Sequence, residues 1–125
     1  MNKKRIYKNK NYYFIYEDFN KKGILKIVIL KKIKKSKGKR NNIYYFSGNN
    51  NLEYRLYTDQ IYDNLKEALA DCYIAQLTYA GNNYTNSFIN ERKKEIRENY
   101  LNAHVNLDEE IIQLYNESIE KIYLK

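Results

Sequence analysis

The sequence has little of the chemistry that metal, redox and nucleophilic sites need. Its 125 residues include one cysteine, one histidine, four glycines, no proline and no tryptophan. A single thiol, Cys72, cannot form an internal disulfide, and one Cys with one His leaves no zinc motif of the HExxH or CxxC kind. The glycines are not clustered, so there is no glycine-rich phosphate loop. We therefore expect no catalytic site, no metal and no cofactor, and we expect Cys72 to be a buried structural thiol.

Long apolar runs are also missing. No stretch reaches the roughly 18 apolar residues of a membrane-spanning helix. The basic first 13 residues are not followed by an apolar stretch or a small-residue cleavage site, so they do not have the pattern of a signal peptide. We expect a cytoplasmic protein that does not bind membranes, located in the host cytoplasm if a phage encodes it.

Four residue types dominate what is present. Lysine and asparagine occur 18 times each, and isoleucine and tyrosine 15 times each. All four have A/T-rich codons, which is typical of a low-GC bacterium or one of its phages. Part of the lysine excess can therefore come from codon usage instead of function.

The charges are divided between the two halves of the chain. Residues 1–58 hold 16 basic and 3 acidic residues, a net charge of +13. Residues 59–125 hold 7 basic and 12 acidic residues, a net charge of −5. A basic half attracts phosphates, whereas the acidic half could instead meet the basic half of another copy. We expect one domain over residues 1–125, with a basic sheet followed by an acidic helical part.

Alternating apolar and polar residues predict four antiparallel strands joined by short turns. The predicted strands are residues 12–19, 24–34, 42–47 and 52–57. In the second strand, strict alternation places Ile33 on the same face as Leu25, Ile27 and Ile29. The same alternation places Lys26, Lys32 and Lys34 on the other face with Ile24, Val28 and Leu30. We predict a four-stranded meander.

Helical periodicity begins after the strands. Residues 61–81 form the longest apolar-periodic run, with an uncharged second half, which predicts a central helix packed on the sheet. Two further helices are expected, at residues 85–105 and from Asp108 onward, where Asp108 is the expected N-cap. Both have narrow apolar seams, so we expect them to pair with each other or with another subunit in a homo-oligomer. The predicted fold class is α+β.

Aromatic residues interleaved with cations are the positive chemical signal. Tyrosines on the predicted strands lie among lysines and one arginine, a combination that stacks bases and holds phosphates. The same tyrosines could also simply fill the core. The residues that we predict to bind a ligand are cations and aromatics of the sheet, its loop and the second helix: Lys26, Lys32, Lys34, Arg40, Arg55, Tyr84, Phe88, Arg92 and Arg97.

Residues 62–88 resemble the helix signature of AP2/ERF-type DNA-binding domains. The matching positions follow the family order of an aromatic and Asp, then Glu-Ala, a helix with alanines, an aromatic and a Gly: Tyr62, Asp63, Glu67, Ala68, Ala75, Leu77, Tyr79 and Gly81. The resemblance implies a three-stranded antiparallel sheet packed on that helix, which reads the DNA major groove with the sheet.

The overall style of the chain is similar to that of small phage anti-defence proteins, including anti-CRISPRs and Thoeris anti-defence sponges. We therefore expect a non-catalytic protein of phage or mobile-element type that captures a nucleotide immune signal or a nucleic acid and so counters host defence. Two alternatives stay open. One is an AP2-like sequence-specific DNA-binding module, and the other is an anti-CRISPR-like inhibitor that binds a host protein.

Overall fold

The computed structural model describes residues 6–35, 42–80, 86–103 and 108–123, and it confirms the α+β class. Four strands are followed by a short 3-10 turn at Thr58–Gln60 and by three helices. The strands are β1 (Tyr12–Glu17), β2 (Leu25–Lys35), β3 (Ile43–Gly48) and β4 (Glu53–Tyr57). The helices are α1 (Leu65–Ala80), α2 (Asn86–Asn102) and α3 (Asp108–Tyr123).

The strands form one antiparallel sheet in the order β1-β2-β3-β4, so the predicted meander is confirmed. β-branched and aromatic side chains fill these segments, as a pleated, half-buried surface favours. Gly23 (φ 88°) lies in the turn before β2, and Asn51 (φ 67°) lies in the turn between β3 and β4. Both residues adopt the left-handed backbone that Gly and Asn tolerate best, which explains their place in these turns.

Each face of the sheet carries its own apolar cluster. The helix-side cluster joins Tyr13, Ile27 and Ile29 to residues of α1 and α3. The far-side cluster contains seven buried residues: Tyr12, Val28, Leu30, Ile33, Phe46, Leu56 and Ile61. Most sheet tyrosines therefore serve the core, as one of the two sequence interpretations expected.

The central helix begins at Leu65, four residues later than the predicted start at residue 61. The Oδ1 of Asn64 accepts a hydrogen bond from the Glu67 N–H (3.2 Å), so Asn64 caps the first turn. Ile61 is instead buried in the far-side cluster. Tyr62 exchanges two 2.8 Å backbone hydrogen bonds with Tyr13, which extends the sheet beside β1. The apolar residues at 61 and 62 thus belong to the sheet, although their spacing also fits a helix.

Helix α1 carries the predicted thiol. Cys72 is 0% exposed in the helix-side cluster, and burial raises its thiol pKa to about 12. A thiol with such a pKa stays protonated and unreactive at neutral pH. The interpretation of Cys72 as a buried structural residue is confirmed.

Side-chain amides complete the edge of β2 where β3 does not reach. Gln76 accepts from the Leu25 N–H at 2.5 Å and donates to the Gly23 carbonyl at 2.9 Å. Asn116 accepts from the Ile27 N–H at 3.0 Å and donates to the Ile27 carbonyl at 3.1 Å. Asn49 then accepts from the Ile29 N–H at 3.2 Å and returns a backbone hydrogen bond to its carbonyl. We call these three side chains the amide edge, because together they replace a neighbouring strand.

The apolar seam of α3 is used inside the chain. Ile112, Tyr115 and Ile119 are all buried in the helix-side cluster, and the Tyr115 hydroxyl donates to the Leu69 carbonyl of α1. The seam of α2 contributes Ile96, which is buried, and Tyr100, whose ring packs against Tyr115. The described seam residues of α2 and α3 therefore pack within the fold. The homo-oligomer stays a prediction.

None of the described helices combines the length and the apolar character that crossing a bilayer requires.

Candidate ligand-binding site

An irregularity in β2 decides which of its lysines reach the open surface. The pairing of β2 with β3 shifts register between Lys31 and Lys34. Leu30 and Ile33 both lie in the far-side cluster although their positions differ by three, which in a regular strand places two side chains on opposite faces. This β-bulge reverses the alternation of side chains, since it inserts an extra residue into one strand. The predicted face for Ile33 is therefore wrong, and Lys34 faces the opposite side of the sheet from the one that strict alternation gave it.

Because of this reversal, three side chains line up on three neighbouring strands of the sheet. Lys34 of β2 pairs with Tyr45 of β3, and Tyr45 pairs with Arg55 of β4. Side chains of directly paired residues share a face, with Cα atoms about 4.5–5.5 Å apart. We call Lys34, Tyr45 and Arg55 the cation–tyrosine row. All three are exposed, and the Tyr45 ring is 45% accessible to solvent.

The cation–tyrosine row lies on a part of the sheet where helices make few contacts. Helices α1 and α3 pack mainly on β1 and β2. Beside the row is an open cleft of about 390 Å³, lined by Lys34, Tyr45, Phe46, Ser47 and Glu53. Glu53 is the acidic residue among them, and it lies across from Ser47 at one end of the row. An ammonium, a phenol ring and a guanidinium in line can hold two phosphates and stack one base.

Lys26, by contrast, is neutralised within the fold. Its ammonium lies 3.1 Å from the Asp18 carboxylate and 2.5 Å from that of Glu120 on α3. The Glu120 carboxylate also lies 3.1 Å from Lys21. Lys26 thus helps to hold α3 against β1 and β2, and ligand binding by Lys26 stays a prediction.

This ion network predicts a pH dependence of stability. Hydrogen bonds from Lys26 and Lys21 lower the pKa of Glu120. At Asp18, partial burial raises the pKa of the carboxyl, but hydrogen bonds from the Asn20 N–H and from Lys26 outweigh it. The pKa of Asp18 is therefore also lowered. Carboxyls with a depressed folded pKa stabilise the fold above their ordinary pKa, and that contribution is lost as the pH falls through the folded value.

We expect Lys26→Met to lower the free energy of unfolding by roughly 1 kcal/mol at pH 7. The difference from wild type should shrink progressively as the pH falls below about 4, because both carboxyls then become protonated in the folded protein. Urea unfolding from pH 7 to pH 3 measures it. Lys22→Met is the matched control, because Lys22 is an exposed lysine of the β1–β2 turn, and it should show little difference at any pH. A Lys26→Met difference that is independent of pH would contradict the network.

The two predicted arginines of α2 have acidic neighbours. Arg97 pairs with Asp71 of α1, and the same carboxylate accepts a hydrogen bond from the Tyr62 hydroxyl. Arg92 lies 3.5 Å from Glu95 one turn along α2. Arg97 thus joins α1 and α2, and the predicted pocket of Arg92 and Arg97 with Tyr84 and Phe88 stays a prediction. Tyr84 and the side chain of Phe88 lie outside the described residues.

Of the other residues predicted to bind a ligand, some lie in the cation–tyrosine row and the rest lie outside the described part of the chain. Lys34 and Arg55 are brought together, as described above. The Lys32 side chain and Arg40 lie outside the described residues. Tyr45 was missed as a binding residue because the sequence alone does not give the register that places it between two cations. Its signal was the Tyr44-Tyr45 pair, since adjacent strand residues face opposite sides and one of the two must point outward.

Comparisons with protein-family models, with curated proteins and with solved structures found no match for this chain.

Proposed function

We propose that this chain is a non-catalytic binding protein that holds a phosphate-bearing ligand, a nucleic acid or a nucleotide, on the cation–tyrosine row. The supporting observation is the alignment of Lys34, Tyr45 and Arg55 on three adjacent strands with the tyrosine in the middle. Two strand spacings separate the cations by about 10 Å. A base stacked on Tyr45 would then have a phosphate within reach of a cation on either side.

The shape of the site favours an extended ligand. The row lies on an open sheet face and not inside an enclosed cavity, so a small nucleotide would bury little of its surface there. A nucleic-acid strand can instead run across the three strands and continue toward other basic residues of the N-terminal half. We therefore favour nucleic acid over a small nucleotide signal as the ligand.

The biological setting stays the one that the sequence predicts. Codon-biased composition and small size favour a phage or mobile-element protein, and capture of a nucleic acid or signal would counter host defence. The protein would act by occupying its ligand and would leave it chemically unchanged.

Thermal melting against a ligand panel tests the proposal. The panel contains single-stranded DNA and RNA, duplex DNA, cyclic di- and trinucleotides and cyclic ADP-ribose isomers. A ligand at 100 times its dissociation constant adds about 2.7 kcal/mol of stability, which raises Tm by several degrees. We expect the largest shift with a single strand. A shift with duplex DNA alone would favour the AP2-like module, and a shift with a cyclic nucleotide alone would favour a signal sponge.

Substitutions in the row give a second, residue-level prediction. We expect Tyr45→Ala to weaken single-strand binding by about 1–3 kcal/mol through lost stacking. Lys34→Ala should weaken it and reduce the slope of log affinity against log salt by about one. Fluorescence anisotropy over a salt series measures both.

The controls match each substitution in type and exposure. Tyr7→Ala removes a tyrosine that is 49% exposed and lies outside the row, and Lys22→Ala removes an exposed lysine of the β1–β2 turn. Equal losses for row and control variants would show that binding follows net charge alone. No binding to any nucleotide would refute the proposal.

One observation keeps the protein-binding alternative as the second candidate. The outer face of α3 exposes Leu114 at 56% beside Glu110 and Glu117. An exposed leucine among carboxylates fits a basic protein partner, and it predicts a stable complex with such a partner and no nucleotide affinity.

A further inference from the structure

Strand β4 ends the sheet, and its backbone shows which groups point outward. The Gly48 N–H donates to the Leu52 carbonyl (2.8 Å), and the Thr58 N–H donates to the Asn42 carbonyl (2.9 Å). In an antiparallel ladder, alternate residues bond to the same neighbour. Tyr54 and Leu56 therefore bond to β3, whereas the N–H and C=O groups of Glu53 and Arg55 point away from the sheet.

Within the described residues this edge is open at Glu53 and Arg55, unlike that of β2. Among the described residues no strand follows β4 in the sheet order. The Gln60 side chain accepts from the Tyr57 N–H (2.8 Å) at the end of β4, but no described side chain bonds the backbone of Glu53 or Arg55 in the way that the amide edge bonds β2. Glu53 and Arg55 are exposed, and Leu52, just before the strand, is 51% exposed. Unpaired strand edges of this kind are templates for pairing with another strand.

We propose that β4 pairs antiparallel with β4 of a second copy of this chain, about a two-fold axis that passes through Tyr54. Glu53 then lies opposite Arg55 of the second copy, and symmetry repeats the pair on the other side of the axis. Both residues have outward backbone groups, so each pair exchanges two N–H···O bonds. The exposed Leu52 lies across from Leu56 of the second copy.

Charge and backbone direction select this register over its neighbours. An axis through Arg55 or through Glu53 would place two like charges directly opposite, which is destabilising. An axis that passes between two residues would place the outward N–H and C=O groups of one strand opposite residues of the other strand whose groups point inward. No ladder of hydrogen bonds would then form. The axis through Tyr54 satisfies both conditions and brings the two Tyr54 residues together as a cross-strand aromatic pair.

The dimer joins two four-stranded sheets into one and places two cation–tyrosine rows side by side. Arg55 has five N–H donors, enough to bond a carboxylate of the second copy and still face a phosphate. The proposed pairing does not depend on the proposed function, because Lys34 and Tyr45 take no part in it.

Charge reversal with mixing tests the register. Glu53→Arg and Arg55→Glu each turn both cross-strand pairs into like-charge pairs, so we expect each variant alone to dissociate roughly tenfold or more readily than wild type. An equimolar mixture of the two variants restores opposite charges in both pairs, and it should form a heterodimer. Sedimentation velocity over a concentration series measures the association.

Lys34→Ala is the control, and it should dimerise as wild type does even where it binds ligand less well. A monomeric wild-type chain would overturn the proposal. So would a wild-type dimer that neither reversal weakens, or two weakened variants whose mixture stays monomeric.

Discussion

Replacing Gln76 with leucine is expected to lower the free energy of unfolding by about 2–4 kcal/mol. Gln76 is 0% exposed, and its amide bonds both the Leu25 N–H and the Gly23 carbonyl. Leucine fills a similar volume but leaves the buried Leu25 N–H without a partner. The loss would therefore come from the hydrogen bonds and not from a cavity.

Urea unfolding at neutral pH measures this effect, and Gln113→Leu supplies the matched control. Gln113 is an exposed residue of α3, so its replacement should change stability by no more than about 0.5 kcal/mol. If Gln76→Leu were as stable as the control, the amide edge would not complete β2.

Replacing Ile119 with alanine is expected to have an effect of similar or larger size, about 2–5 kcal/mol. Ile119 is 0% exposed between β2 and α1, so its truncation leaves a cavity beneath α3. The same experiment distinguishes an α3 that belongs to the hydrophobic core from an α3 that serves only a contact with another subunit.

Leu114→Ala is the control on the same helix, because Leu114 is 56% exposed and faces solvent. We expect it to change thermal stability little. The opposite ranking, with Leu114→Ala the more destabilising, would mean that the outer face of α3 and not its inner seam carries the stabilising contacts.

The sequence predicted the strands well where alternation was undisturbed. Tyr13 and Ile15 face the helices while Tyr12 and Phe14 face away, as the period of two requires. The prediction was wrong at Ile33, because a bulge depends on pairing with a distant strand and leaves no periodic trace in its own residues. The helix start was misplaced for a related reason, since Ile61 and Tyr62 fit both a helical stripe and a sheet contact.

The candidate site was less predictable than the fold. Residue type suggested Lys34 and Arg55 but equally suggested Lys26 and Arg97, which carboxylates of other elements neutralise. Ion pairs between residues as distant in sequence as Lys26 and Glu120 have no local signal. The register that brings Tyr45 between two cations is likewise a property of three strands together.

The amide edge also determines when, during synthesis of the chain, the sheet can be completed. Ile27 and Asn116 are 89 residues apart, and Leu25 and Gln76 are 51 apart. Chains grow at about 5–20 residues per second, so roughly 4–18 s pass between the synthesis of Ile27 and that of its partner. Through that interval the outer edge of β2 at Ile27 lacks its partner. We therefore infer that the sheet reaches its final form only once α3 has left the ribosome, and that chains cut short before Asn116 would aggregate.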